Sequence, residues 1–278
     1  MRRGRRSDAR ESLSVARRAM RAWGTDGKPS PKPDRVAVEE PLEIRIETKS
    51  IAVVMRTPGH DVELAAGFVL AEGIAKDRQA LRAVKPLPRN RQGNVVDVFL
   101  ADGFEVDLGR FTRHVFASSS CGLCGVATIE AVRRQFPRIR DPERVSAAVL
   151  RGLADRMREV QEDFAVTGGL HAAAVFAADG RLLVHREDVG RHNAVDKVVG
   201  RLLLDDALPV PGGVLWVSGR ASFEIVQKAL AAGLPVVAAV GAPSSLAIDL
   251  ARANGQTLIG FLRDGRFNVY SGPRRLRA

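Results

Sequence analysis

The fold is decided by Gly213–Arg263, GVLWVSGRASFEIVQKALAAGLPVVAAVGAPSSLAIDLARANGQTLIGFLR. Gly213–Ser218 and Leu234–Val240 are near-continuous apolar runs bounded by glycine or proline, the pattern of strands buried on both faces. Between and after them, Ser222–Ala232 and Ser244–Ala253 place apolar residues at helical spacing, and Gln256–Arg263 reads as a third strand. Strand–helix–strand–helix–strand with apolar strands implies an α/β fold, a parallel or mixed sheet with helices on both faces.

Working outward, His171–Phe176 and Leu182–His185 read as a hairpin around Asp179-Gly180. Arg191–Leu204 reads as a helix, as does Pro142–Phe164. Further upstream, Val36–Glu40, Leu42–Glu47 and Ile51–Thr57 alternate like strands, and Asp61–Ile74 has helical spacing. Strands are expected near Leu81–Leu87, Asn94–Leu100 and Glu105–Leu108. These expectations divide the chain into an α+β N-terminal domain, 36–115, and a larger domain, 116–278.

The chain has 278 residues and a formal charge of +11, of which residues 1–35 supply +7. That segment, followed by the proline-rich Lys28–Pro33, reads as a disordered basic tail and linker. Such a tail is a surface for nucleic acid or an acidic partner, although a solvated leader explains it more simply. With one tyrosine in the chain, the aromatic platforms of single-strand binders are not expected. The sequence has no run of 18 apolar residues, so no membrane span is expected. Nor does the N-terminus carry the apolar core of a secretory signal.

The two cysteines form one CxxC, Cys121-Gly-Leu-Cys124, in a Ser/Gly loop that enters an expected helix, Val126–Phe136. A loop at a helix N-terminus lowers thiol pKa through backbone N–H groups and the helix dipole. A redox pair, half a zinc site and a persulfide carrier all remain open on spacing alone. Zinc would need two more ligands, for which His114 and His171 are candidates. Zinc deaminases place H-x-E before P-C-x-x-C. Here the CxxC precedes His171 and no glutamate follows that histidine by two.

Three other stretches carry chemistry. In Glu187-Asp-Val-Gly-Arg-His-Asn-Ala-Val-Asp-Lys197, Asp188, His192 and Asp196 stand at i, i+4 and i+8, on one helical face if the helix starts early. Val217–Ser222 and Gly241–Ser245 each place a Gly turn and a helix N-terminus after an apolar strand. Free backbone N–H groups there would hold an anion, with Gly219, Arg220, Ser222 and Ser244 at hand. Either turn alone is also ordinary capping chemistry. Two adjacent turns suggest a nucleotide-like ligand at the carboxyl ends of the strands.

Taken together, Ser119–Gly125, Thr167–Ala172, Glu187–Lys197, Ser218–Ser222 and Gly260–Tyr270 resemble the formate dehydrogenase accessory sulfurtransferase family (FdhD), over about residues 36–272. The resemblance implies a cytoplasmic homodimer with a cytidine deaminase-like larger domain lacking zinc. It implies transfer of a persulfide sulfur from a cysteine desulfurase to the molybdenum bis-molybdopterin guanine dinucleotide cofactor of formate dehydrogenase. Cys121 matches the persulfide-bearing residue and Cys124 the second loop cysteine. Phe261, Leu262, Arg263, Asp264, Gly265 and Arg266 match the cofactor-binding segment. Arg220, Arg263, Arg266, Gly219, Ser222, Ser244 and His192 are expected to suit its nucleotide ends. The alternative is a cofactor-binding chaperone that inserts the cofactor without sulfur chemistry.

Overall fold

The computed structural model describes residues 13–25, 27–87, 94–104 and 135–278. Cys121, Cys124, the expected strand at Glu105–Leu108 and residues 126–134 of the expected Val126–Phe136 helix lie outside the described residues.

The chain begins with β1 (Val15–Trp23) and β2 (Pro29–Ala37), an antiparallel hairpin. Then come β3 (Glu40–Ile46), β4 (Lys49–Arg56), α1 (Asp61–Ala71), β5 (Leu81–Pro86) and β6 (Val95–Leu100). After residue 134 follow β7 (Val145–Ser146), α2 (Ala147–Val160), α3 (Glu162–Thr167), β8 (His171–Phe176), β9 (Leu182–Asp188) and α4 (Arg191–Leu204). The last third is β10 (Val214–Val217), α5 (Phe223–Ala231), β11 (Val236–Ala239), α6 (Ser245–Asn254), β12 (Thr257–Arg263), β13 (Arg266–Ser271) and β14 (Leu276–Arg277).

The strands β10 and β11 are short, and every residue in them is buried. Leu215, Val217, Val237 and Ala239 face one apolar cluster, and Val214, Trp216, Val236 and Ala238 face another. This is the two-sided burial of strands covered by helices on both faces. The sheet order is β13-β12-β11-β10-β8-β9. Strands β10, β11 and β12 run parallel, with antiparallel β8–β9 on one side and β13 on the other. A second, four-stranded sheet, β4-β3-β6-β5, packs its apolar residues into the first of these clusters.

The two sheets meet through α1 and α4. A β carbon at Gly67 would stand 1.9 Å from the Asp196 carbonyl oxygen, and one at Gly200 1.7 Å from that of Glu63. Only glycine allows the two helix backbones to approach this closely. Ion pairs cross the same interface, with Arg186 bidentate on Glu63 at 2.6 and 2.7 Å.

Two expectations are corrected here. Residues 1–12 lie outside the described residues; within the segment read as a disordered tail and linker, the described residues from Val15 onward form the β1–β2 hairpin instead. Its turn closes with the Gly27 amide donating to the Gly24 carbonyl at 3.1 Å. The prolines of β2 are tolerated because they fall at alternate positions. The Val38 amide donates to Ser14, so even-numbered residues of β2 face β1, and Pro29, Pro31 and Pro33 face away. The expected Pro142–Phe164 helix begins only at Ala147, where Ser146 caps it by accepting from the Ala148 amide at 3.1 Å. It breaks at Gln161 into α2 and α3.

Candidate functional site

The turns after β10 and β11 are laced to each other. The Gly241 amide donates to the Gly219 carbonyl, Ala221 to Ala242, and Ser244 to Ala221, at 3.0 to 3.2 Å. Phe261 donates in turn to Gly241. Three amides of these turns, those of Gly241, Ala221 and Ser244, are therefore not free for an anion as the sequence reading expects; they hold the rim together. The Ser244 hydroxyl caps α6 by accepting from the Ala247 amide at 3.3 Å. Arg220 is exposed on this rim.

Beside the rim, at the carboxyl ends of the parallel strands, lies a cleft of about 540 Å³. This is the place where open α/β sheets bind ligands. Trp216, Leu262, Phe164 and Val240 give it apolar wall, and Arg158, Arg263 and Asp264 give it charge. Of the expected cofactor segment, Leu262, Arg263 and Asp264 line the cleft, while Phe261, Gly265 and Arg266 do not. The local backbone explains this division. Asp264 and Gly265 both have positive φ, as a two-residue hairpin turn between paired Arg263 and Arg266 requires. Phe261 also has a positive φ of 55°. At a bulky residue this is strained, and it coincides with the register shift between Gly260 and Arg263. Strain of this kind concentrates at functional sites.

His171 also lines the cleft, its Nδ1 3.5 Å from the Ser218 hydroxyl, which accepts from the Ala172 amide. Burial, with the charges of Arg191 and His192 adding to it, lowers the His171 pKa, so its imidazole is neutral at neutral pH. Sequence reasoning weighs His171 only as a zinc ligand, has Ser218 within the Val217–Ser222 turn without a role for its hydroxyl, and misses Trp216, Arg158 and Gln161. The Thr167–Ala172 and Ser218–Ser222 motifs are the available signals. The α2 residues carry none, since Arg158 and Gln161 on an amphipathic helix read as solvent-facing.

The Glu187–Lys197 stretch divides into two jobs. Helix α4 starts at Arg191, and Asp188 ends β9, so the three residues expected on one helical face do not share one. Asp188 is fully buried and accepts from the Thr57 and Gly190 amides and Asn193 Nδ2, with Lys197 Nζ at 2.7 Å. Lys197 also donates to the Thr57 carbonyl at 2.9 Å. Asp196 binds Lys228 of α5 at 2.7 and 2.9 Å. Burial works against the Lys228 charge, but Asp196 and Glu72 overcome it and raise its pKa. The Asp188–Lys197 pair thus ties β9 and α4 to the end of β4 through Thr57, while the Asp196–Lys228 pair ties α4 to α5.

His192 does a different job, near the rim. Its Nε2 lies 2.8 Å from Glu224 and 3.3 Å from the Ser222 hydroxyl. The hydrogen bond from His192 lowers the Glu224 pKa against the pull of burial. Gly219 lies between two of these groups: a β carbon there would meet His171 at 3.6 Å and Arg191 at 3.7 Å, both ordinary contacts.

The fold and site define an α/β protein with a cationic, aromatic-walled cleft at the ends of its parallel strands. Comparison with known proteins makes this specific. The model of the FdhD/NarQ family matches residues 37–277, and the chain belongs to that family. It is 51% identical over 260 residues to a protein of Streptomyces coelicolor named sulfur carrier protein FdhD, covering 90% of this chain and 92% of that one. A Mycobacterium tuberculosis protein of the same name is 49% identical over 255 residues, covering 88% and 92%. A crystal structure from Desulfotalea psychrophila, described as a candidate formate dehydrogenase accessory protein, has a TM-score of 0.76 at 25% identity, covering 95% of this chain and all of that one. No helix among the described residues is long and apolar enough to cross a membrane.

Proposed function

We propose that this protein is a sulfurtransferase that carries sulfur as a persulfide on Cys121 and delivers it to the molybdenum bis-molybdopterin guanine dinucleotide cofactor, which is required for formate dehydrogenase activity. The observation that carries this reading is the Cys121-Gly-Leu-Cys124 loop in a member of a family whose relatives are named sulfur carriers. In the first step the Cys121 thiolate attacks the outer sulfur of a desulfurase persulfide. The donor S–S bond breaks, the donor leaves as a thiolate, and Cys121 holds the sulfur as Cys–S–SH. Cys124 stands as an auxiliary to that carrier.

The cofactor is cargo, and the cleft is where its guanine dinucleotide ends are received. Arg263 and Arg158 supply cations for pyrophosphate oxygens. Trp216 and Phe164 supply apolar wall against which a base packs, and Asp264 supplies a carboxylate for donor groups on the base. Gly219, Ser222 and His192 flank this cleft rather than line it, so their part is to hold its rim. This reading takes the six-stranded unit as a cytidine deaminase-like domain used without zinc, supported by the family resemblance and by a sequence that lacks the motif order of zinc deaminases. The reading places the protein in the cytoplasm as a homodimer that meets a cysteine desulfurase and the formate dehydrogenase catalytic subunit in turn.

The test separates carriage from binding. Cys121→Ala is expected to abolish activation of formate dehydrogenase while GDP, the probe for the cofactor's nucleotide ends, still binds. Activation retained by this variant contradicts the persulfide step and favours the chaperone reading.

A further inference from the structure

Strands β1 and β2 make a sheet of their own, and its two outer edges differ. Along β2, Pro29, Pro31 and Pro33 occupy successive outward positions, so that edge has no donors over Pro29–Pro33, and the next outward amide, that of Arg35, donates to its neighbour Asp34 at 2.9 Å. Along β1, the outward positions are Arg17, Ala19, Arg21 and Trp23, opposite Arg35, Pro33, Pro31 and Pro29. Their amides point away from β2, and no other strand pairs with them among the described residues. One acceptor, the Arg17 carbonyl, is occupied by its exposed neighbour Arg18 at 3.0 Å. Folded proteins blunt or cover an edge of this kind. Here one edge is blunted three times over, and the other has no strand beside it among the described residues.

The side chains on that edge give it a charge preference. Residues paired across an antiparallel ladder share a face. Arg17, Arg21 and Arg35 therefore share one face with Trp23, which is 71% exposed. None of the paired residues on that face is acidic. On the opposite face Arg18 is paired with Asp34. Strand β2 packs on α3, whose Phe164 lines the cleft, so the arm is rooted beside the site.

We propose that the open edge of β1 is the docking site for an extended acidic segment of a partner protein. The segment adds as a strand beside β1 and sets its carboxylates against Arg17, Arg21 and Arg35, with backbone hydrogen bonds giving affinity and the arginines giving selectivity. A second copy of this chain is a poor occupant, because its β1 brings three arginines and no acid.

The test uses the full chain and a fluorescent alternating Thr-Glu peptide, with an alternating Thr-Lys peptide and a short DNA duplex as competitors. Ala19→Pro puts a proline opposite Pro33, where the amide already faces away from β2, so the hairpin ladder is kept. The Thr-Glu peptide is expected to bind, and to lose at least about tenfold in affinity to Ala19→Pro and to the pair Arg17→Glu/Arg21→Glu. In the unaltered protein, hydrogen exchange at the Ala19, Arg21 and Trp23 amides is expected to slow on binding. The proposal is overturned by absence of binding or by unchanged exchange at those amides. Unchanged affinity in Ala19→Pro overturns it as well, as does tighter binding of the duplex or the Thr-Lys peptide. Self-association through β1 in place of peptide binding overturns it too.

Discussion

Replacing Gly200 by alanine puts a methyl group where α4 touches α1. Its carbon would stand 1.7 Å from the Glu63 carbonyl oxygen, against ordinary contact at 3.4 Å. The obstacle is backbone, so the helices must part by about 1.7 Å. Such a shift stretches the bonds that cross the same seam, Lys197 to the Thr57 carbonyl at 2.9 Å and Asn193 to the Met55 carbonyl at 2.7 Å. Overpacking costs about 1–3 kcal/mol, and a lost hydrogen bond to a charged group about 1.5–3 kcal/mol. Alanine returns about 1 kcal/mol in helix propensity. The net expectation is a loss of about 3 kcal/mol, read as a lower urea midpoint and a Tm lower by roughly 6 °C or more. Gly152 is the control, in a helix with nothing within 4 Å of its β carbon position. Gly152→Ala should raise stability by up to about 1 kcal/mol. Equal stabilities for the two alanine variants would refute the close approach of α1 and α4.

Lys197→Met leaves the buried Asp188 carboxylate without its cation and should destabilise by about 3–5 kcal/mol; adding Asp188→Asn should recover part of that loss in the same urea titration. Burial alone would raise the Glu63 pKa, but hydrogen bonds from His60 and Arg186 hold it at about 2 against an ordinary 4.5. A depressed carboxyl pKa contributes stability that is full above 4.5 and lost as pH falls toward 2. Glu63→Gln should therefore flatten the fall of Tm across that window, and an unchanged profile would show that other carboxylates govern it. Arg263→Ala should weaken GDP binding by roughly tenfold or more, measured as quenching of tryptophan fluorescence, with Trp216 in the cleft wall as reporter.

The parts of the fold that showed in the sequence are those whose pattern is set locally. Arg191–Leu204 is a helix over the residues its periodicity indicates, and the apolar runs at Val214 and Val236 are buried strands. Contacts distant in sequence were illegible. Gly67 and Gly200 look like ordinary helical glycines until two backbones meet over them. The hairpin was hidden because proline counts against a strand, and only the parity of Pro29, Pro31 and Pro33 against β1 makes them compatible. At the cleft, the lining residues Leu262, Arg263 and Asp264 fall within the Gly260–Tyr270 motif. The polar stretch Glu187–Lys197 mixed a rim residue, His192, with Asp188, Asp196 and Lys197, which are buried in ion pairs. Residue type alone does not separate a buried ion pair from a reactive one; the partners do, and they lie on other elements.

The claim that matters most is that Cys121 carries sulfur. It is tested most directly by intact-protein and peptide mass spectrometry after incubation with a cysteine desulfurase and cysteine. A one-sulfur adduct is expected on the peptide containing Cys121, removed by reductant and absent from Cys121→Ala. A protein that remains unmodified, or that takes the sulfur equally well without Cys121, would contradict the account.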